Sequence, residues 1–190
     1  MNERDILKVL EETGALLNGH FELRSGLHSN RFFQCANVLR YPRIAGRLCD
    51  ALVMRMSGAM DVGKVDGVIS PALGGILVGH EVARAMDTKC VFAEKQDNKL
   101  VMRRFTIKPG ERYVVAEDVI TRGGRVQETI DLVKASGAAV VAVLVLVDRS
   151  AGLAKFEYPT FSLLKMSPEV WEPAACPLCA EKQPFVHPGS

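Results

Sequence analysis

The chain is predicted to be an α/β protein: a central, mainly parallel β-sheet flanked by helices, with a small α+β unit at the N-terminus. Three observations lead there. From Asp66 onward short apolar runs alternate with stretches of helical spacing, the pattern of a parallel sheet covered on both faces. The run "AAVVAVLVLVD" (138–148) is apolar without alternation, as a strand is when both faces of its sheet are buried. A length of 190 residues suits one domain, because a chain of this size buries about 70% of the surface it exposes when unfolded. A second complete domain is not expected.

The elements follow in order. Asp5 to Leu17 carries Ile6, Leu7, Val9, Leu10, Leu16 and Leu17 in helical spacing, which predicts a short helix ending near Gly14 or Gly19. "HFELRSGLHSNRFFQCANVL" alternates around a Ser-Gly and reads as a β-hairpin. Pro42 opens a helix to about Ser57, with Ile44, Leu48, Leu52 and Val53 on one face. "DGVIS", "KCVFA", "RYVVAED" and "AAVVAVLVLVD" are strands, "PALGG" is a turn, and "ILVGHEVARAMD" and "GRVQETIDLVKASG" are helices. Between two strands lies the polar, basic insertion "EKQDNKLVMRRFTIKPGER", with hairpin character around "KLVMRRF". Insertions of this kind are often mobile lids. The proline-rich stretch from about residue 165 to 190 reads as an irregular tail wrapping the surface.

Composition narrows the class. Hydrophobic residues make up 48% and charged residues 24%, the mix of an ordinary globular domain. With 24 basic against 22 acidic residues, the balance of +2 argues against bulk nucleic-acid binding. The N-terminal "MNERDILKVLEETGALL" lacks the long apolar core of a signal peptide or membrane helix, so a cytoplasmic protein without membrane contact is expected. Cys35, Cys49 and Cys90 read as buried free thiols. Cys176 and Cys179 in "CPLC" could be half a zinc site. Structural zinc takes four N or S ligands, however, and the only later histidine is His187, so a metal there is not the favoured reading.

The chemistry concentrates in "VVAEDVITRGGR" (114–125). A buried strand ends in the paired carboxylates of Glu117 and Asp118, followed by a hydroxyl at Thr121, two glycines and the start of a helix. In open α/β sheets ligands sit outside the carboxyl ends of strands. Backbone N–H groups of such a turn, with the helix dipole behind them, bind phosphate. Acceptors for hydroxyls thus stand beside donors for a phosphate, and a sugar phosphate satisfies both. The plainer alternative is that Asp118 merely N-caps the helix. Arg149 ends another apolar strand, an expensive place for a guanidinium unless it meets an anion or water. It suits a carboxylate held by two hydrogen bonds, or else pairs with Asp148.

The full string resembles the phosphoribosyl pyrophosphate (PRPP) motif of the type I phosphoribosyltransferases. Other segments resemble the orotate phosphoribosyltransferases among them: "FELRSGLHSNRFF" their N-terminal element, "SPALGGI" their pyrophosphate loop, "FAEK" with "NKLVMRRF" their catalytic loop, "LVDR" their orotate-binding strand end, and "CPLC" the tail of one bacterial group. The resemblance implies a single phosphoribosyltransferase domain over 1–190, with a hood at about 1–40 and a PRPP-binding core at about 60–150. It implies transfer of ribose 5-phosphate from PRPP to orotate, giving orotidine 5-monophosphate and pyrophosphate for pyrimidine synthesis.

On that resemblance Glu117 and Asp118 hold the ribose hydroxyls, and the loop of Val119, Ile120, Thr121, Arg122, Gly123, Gly124 and Arg125 cradles the 5-phosphate. Ala72, Leu73 and Gly74 receive the pyrophosphate. Lys99 is the mobile catalytic lysine beside Asp118, and Lys95 with Arg103 or Arg104 contacts phosphate. Arg24, Phe33, Thr121 and Arg149 border orotate. Mg2+ is implied as cofactor, held by PRPP and water with no direct protein ligand, and a homodimer sharing the catalytic loop between subunits is implied too. Departures are Leu73-Gly74 where some members have tyrosine-lysine, a short catalytic loop without the histidine some relatives have, and Arg125 where a small or hydroxyl residue is usual. A purine phosphoribosyltransferase and a PRPP-sensing regulator that binds nucleic acid are the competing readings; the first fits Arg24 and Arg149 poorly, and the second lacks a visible helix-turn-helix.

Overall fold

The computed structural model describes residues 1–23 and 25–188. Helix α1 (Glu3–Glu12) is started by a capping box: the Asp5 N–H donates to Asn2 Oδ1 at 2.9 Å, and the Asn2 N–H to Asp5 Oδ2 at 3.2 Å. It buries Ile6 and Leu10. The helix is shorter than the apolar spacing predicts, because Gly14 turns the chain with φ +69° and Leu16 already pairs as a strand. Strands β1 (Leu16–Glu22) and β2 (His28–Phe33) form the antiparallel hairpin read from the sequence. The four-residue α2 (Ala36–Leu39), which the sequence did not announce, and α3 (Pro42–Ser57) follow.

The core then runs β3 (Gly67–Pro71), α4 (Gly74–Ala85), β4 (Lys89–Gln96), β5 (Lys99–Val101), β6 (Arg112–Ile120), α5 (Gly124–Ala135), β7 (Ala139–Asp148) and β8 (Thr160–Lys165). The sheet order is β5-β4-β3-β6-β7-β8, parallel throughout except for the antiparallel β4–β5 ribbon. The chain leaves β3 toward β4 on one side and returns with β6 on the other. The loops after β3 and β6 therefore diverge and open a crevice at the carboxyl edge, where ligands of such sheets bind.

Alternation along the strands divides the core. Val114 and Ala116 of β6 with Leu144 and Leu146 of β7 pack toward Leu48, Leu52 and Met56 of α3 and Val78 and Val82 of α4. Tyr113, Val115, Val143 and Val145 face Val126, Ile130 and Val133 of α5. Each such buried aliphatic side chain contributes about 1.5–3 kcal/mol, so the crevice rests on a stiff sheet.

The tail is less irregular than its prolines suggest. Strand β9 (Val170–Trp171) pairs antiparallel with β2, making the hairpin a three-stranded sheet. The short α6 (Pro177–Ala180) follows, and Val186 bridges to Phe21, its N–H donating to the His20 carbonyl at 3.0 Å. Among the described residues no helix is long and apolar enough to cross a membrane.

Candidate active site

Glu117 and Asp118 lie on β6 a little before its end, since pairing continues to Ile120 opposite Asp148. Glu117 is 6% exposed and Asp118 half-buried. The Asp118 N–H donates to Glu117 Oε1 at 3.0 Å, and the Val119 N–H to Asp118 Oδ1 at 2.8 Å. Burial pushes both carboxyl groups above the usual range, and for Glu117 the adjacent Asp118 charge pushes further in the same direction, with Arg125 acting against it. The pair favours the retention of a proton.

Asp118 does not cap α5. The N-cap is Gly123, in the left-handed region at φ +80°, and no side chain caps the helix. The first N–H groups of α5 have no intrahelical acceptor and stand open at the crevice. A side chain at Gly123 is excluded twice, by its φ and by Phe156 Cζ, which would lie 2.9 Å from a Cβ. Thr121 and Arg122 are exposed in the loop. Residues 117–126 and Glu128 line a cleft of about 410 Å³. Arg125 lies there with its Nη1 2.8 Å from Glu128 Oε2, one turn along the helix.

The second wall is α4. Its N-terminus also lacks a side-chain cap, and it follows the turn Ala72-Leu73, whose Ala72 N–H is fixed on the Ala93 carbonyl at 2.8 Å. A Cβ at Gly74 would sit 2.8 Å from Asp118 Oδ2, and one at Gly75 would sit 2.9 Å from Glu117 Oε1. Two uncapped helix N-termini thus converge on one carboxylate pair, offering anion donors on both sides of a group that accepts from hydroxyls. Gly75 was not singled out in the sequence, although the doubled glycine was its signal.

Arg149 follows β7, its N–H bonded to the Ile120 carbonyl at 2.8 Å, next to the end of β6. Its guanidinium carbon lies 5.3 Å from the centre of the Phe33 ring, and its Nε is buried with no hydrogen-bond partner among the described residues. Burial lowers its pKa from the ordinary arginine value. It does not pair with Asp148, whose Oδ1 accepts instead from the Ser150 N–H at 2.9 Å. Phe33, 6% exposed, belongs to the core and supports Arg149 at once. Between these groups sits Cys35, whose Sγ is 3.9 Å from the Asp118 carbonyl oxygen and whose thiol is pushed up by burial first and then by Asp118, with Arg149 acting against both. Sequence reading took Cys35 as core only; its place under both halves of the site is visible only in three dimensions.

The remaining predicted residues lie elsewhere. Lys95 and Lys99 are exposed on the β4–β5 ribbon, and Lys99 lines a groove along α5 with Leu100, Asp131, Leu132 and Glu128, the last of which also lines the adjoining cleft. Arg103 is exposed. Arg104 folds back on Glu94 at 3.0 Å. Arg24 lies outside the described residues. Away from the crevice, His20, His28, Cys176 and Cys179 bring four nitrogen and sulfur atoms within 4.8 Å of one another.

A crevice at the strand-order reversal, an acidic pair on β6 and two open helix N-termini define a phosphoribosyltransferase. The family model for the phosphoribosyl transferase domain matches residues 43–179. The chain is 48% identical over 191 residues to the orotate phosphoribosyltransferase of Desulforamulus reducens, covering 100% of this chain and 98% of that one. To that of Carboxydothermus hydrogenoformans it is 47% identical over 187 residues, covering 98% and 97%. The crystal structure of orotate phosphoribosyltransferase from Aeropyrum pernix superposes with a TM-score of 0.69 at 26% identity, covering 85% of this chain and 93% of that one. An adenine phosphoribosyltransferase from Thermoanaerobacter pseudethanolicus, at 20% identity and a TM-score of 0.67 over 83% and 99% of the two chains, shares the fold. The chain belongs to the orotate phosphoribosyltransferase family.

Proposed function

We propose that this protein transfers ribose 5-phosphate from PRPP to a ring nitrogen of orotate, releasing pyrophosphate. The observation that carries the reading is Arg149: a half-buried guanidinium, braced on Phe33 with an unpartnered Nε, beside the cleft that suits a sugar phosphate. Orotate has the carboxylate that such a group requires, and purine bases and uracil do not.

The bond from ribose C1 to pyrophosphate oxygen breaks, the bond from C1 to orotate nitrogen forms, and the nitrogen's proton leaves to solvent. Positive charge develops on the ribose and negative charge on the leaving group, so catalysis needs oriented charges more than a nucleophile. Glu117 and Asp118 meet the ribose hydroxyls, and the negative charge that the pair keeps beside its retained proton stands near the ribose cation. The N–H groups of α5 hold the 5-phosphate, with Thr121 beside them. Those of α4, at Leu73 and Gly74, serve the pyrophosphate, where backbone donors take the place of a cationic side chain.

Magnesium fits this site. The gap that a Cβ at Gly74 would fill leaves the Asp118 carboxylate facing the turn assigned to pyrophosphate, and the cation keeps most of its own waters while it binds phosphate oxygens. Bound there, it would neutralise charge on the leaving group. Asp118 and Glu117 would meet it through water.

Lys99 completes the leaving-group site from the β4–β5 ribbon, with Lys95 and Arg103 as further phosphate contacts. Lys99 lines the groove next to its own cleft, the two sharing Glu128; the resemblance to enzymes that share this loop between subunits is the reason we assign it to the cleft of a second copy, in a homodimer. The test follows orotate absorbance with PRPP and magnesium. Loss of the orotate signal with stoichiometric pyrophosphate release is the expected result; PRPP binding without orotate consumption would overturn the assignment of the base.

A further inference from the structure

We propose that His20, His28, Cys176 and Cys179 form a tetrahedral zinc site that pins the C-terminal tail onto the β1–β2 hairpin. The ligands come from two places about 150 residues apart: the hairpin strands supply the imidazoles, and "CPLC", which opens α6, supplies the sulfurs. All four donor atoms lie within 4.8 Å of one another.

The spacing suits the ion. With Zn–N about 2.0 Å and Zn–S about 2.3 Å, the edges of a tetrahedron of donors run about 3.3–3.8 Å. His20 Nε2 lies 3.4 Å from Cys176 Sγ and 3.7 Å from Cys179 Sγ; His28 Nδ1 lies 3.2 Å from Cys179 Sγ. The two imidazole nitrogens are closer, at 2.7 Å, and open by about half an ångström when an ion enters between them.

The surroundings orient the donors. His20 Nδ1 stands 2.9 Å from the Gln183 carbonyl, which can only accept, so Nδ1 carries the proton and Nε2 turns its lone pair inward. This is the outer hydrogen bond that metal-binding histidines usually have. Phe185 covers the far side, its ring centre 4.9 Å from that of His28 and 5.5 Å from that of His20. His20, His28 and Cys176 are 4%, 3% and 3% exposed.

Two neutral imidazoles and two thiolates balance a divalent cation, so the filled site buries no net charge. Binding releases two thiol protons to solvent. Nitrogen and sulfur donors without an oxygen select zinc over magnesium or calcium. His187 is not a ligand: its Nε2 pairs with Glu22 Oε2 at 3.5 Å.

The consequence is mechanical. His20 lies on β1 and His28 opens β2, which ends at Phe33 under Arg149. Zinc ties the tail to that strand from one side, while β9 pairing holds it from the other.

The experiment uses untagged protein expressed with zinc in the medium. Elemental analysis should find a single zinc per chain, and Cys179→Ser, at the least buried ligand, should lose most of it. Exchange with cobalt should give the intense visible bands of a tetrahedral ion and a thiolate-to-cobalt band in the near ultraviolet. In the unaltered protein, Cys176 and Cys179 should react with a thiol reagent at least tenfold faster after chelation than before. Absence of zinc together with a weak octahedral cobalt spectrum, thiol reactivity indifferent to chelation, or a Cys176–Cys179 disulfide found by mass spectrometry would each overturn the proposal.

Discussion

The Arg149 guanidinium lies over the Phe33 ring, its carbon 5.3 Å from the ring centre, and the arginine reaches no carboxylate among the described residues. A charged donor left open in this way should be worth about 2–4 kcal/mol when an anion fills it. Arg149→Ala is expected to raise the KM for orotate by about a hundredfold and to leave that for PRPP within about threefold. Arg149→Lys should recover little, because an ammonium cannot fork onto a carboxylate with two parallel hydrogen bonds. Steady-state kinetics with each substrate varied in turn decide it; an equal loss for PRPP would separate Arg149 from the base.

Gly74 touches Asp118 where a methyl group has no room, a Cβ there standing 2.8 Å from Oδ2. Alanine suits a helix start as backbone, so Gly74→Ala should leave the fold and Tm nearly unchanged. It should nevertheless displace the carboxylate and raise the KM for PRPP at least tenfold. A variant with unaltered PRPP kinetics would remove α4 from the site.

Glu117 has its proton affinity raised by burial first and by Asp118 second. A carboxyl whose folded pKa exceeds its unfolded value binds its proton more tightly when folded, so its contribution to stability falls as pH rises from about 4 into the alkaline range. Glu117→Gln keeps the oxygen that accepts from the Asp118 N–H. The ligand-free variant should therefore melt a few degrees above the parent at pH 8, roughly 1–2 kcal/mol, with the gap closing near pH 4. Activity should fall sharply in the same variant. Melting curves at the two pH values test the sign, and a gap that grows in acid would contradict it.

Lys99 lies on the ribbon and outside its own cleft. Lys99→Ala should lower kcat by about a hundredfold while PRPP affinity changes little, because a contact to departing pyrophosphate acts in the transition state. If Lys99 serves a neighbouring subunit, mixing Lys99→Ala with Asp118→Asn chains should restore part of the activity, and no recovery would confine each site to one chain.

What was legible in the sequence depended on distance along the chain. Strands β3, β4, β6 and β7 were readable because each is a local apolar run, and the segment 117–125 because its chemistry is contiguous. Strand β8 was not: "TFSLLK" buries Leu163 and Leu164 in succession at the end of the sheet order and shows neither alternation nor a long apolar run. Cys35 and Gly75 were missed because their roles arise from contacts across 83 and 42 positions (118 − 35 and 117 − 75). The histidine partners of "CPLC" were sought downstream, at His187, whereas the fold delivers them from the opposite end of the chain.

The β4–β5 ribbon bears on how often the enzyme can turn over. Asp97 and Asn98 both take positive φ, +48° and +64°, the two-residue turn whose twist matches a hairpin, and pairing is regular from Gln96↔Lys99 down to Glu94↔Val101. Phe105 against Phe92, ring centres 5.1 Å apart, anchors its base. A disordered strap must find one conformation among many at every closure, at about 1–2 kcal/mol per residue fixed. A preassembled ribbon holds Lys95 and Lys99 at a set spacing, so the entropy of ordering them is spent once, during folding, rather than each time a ligand is met.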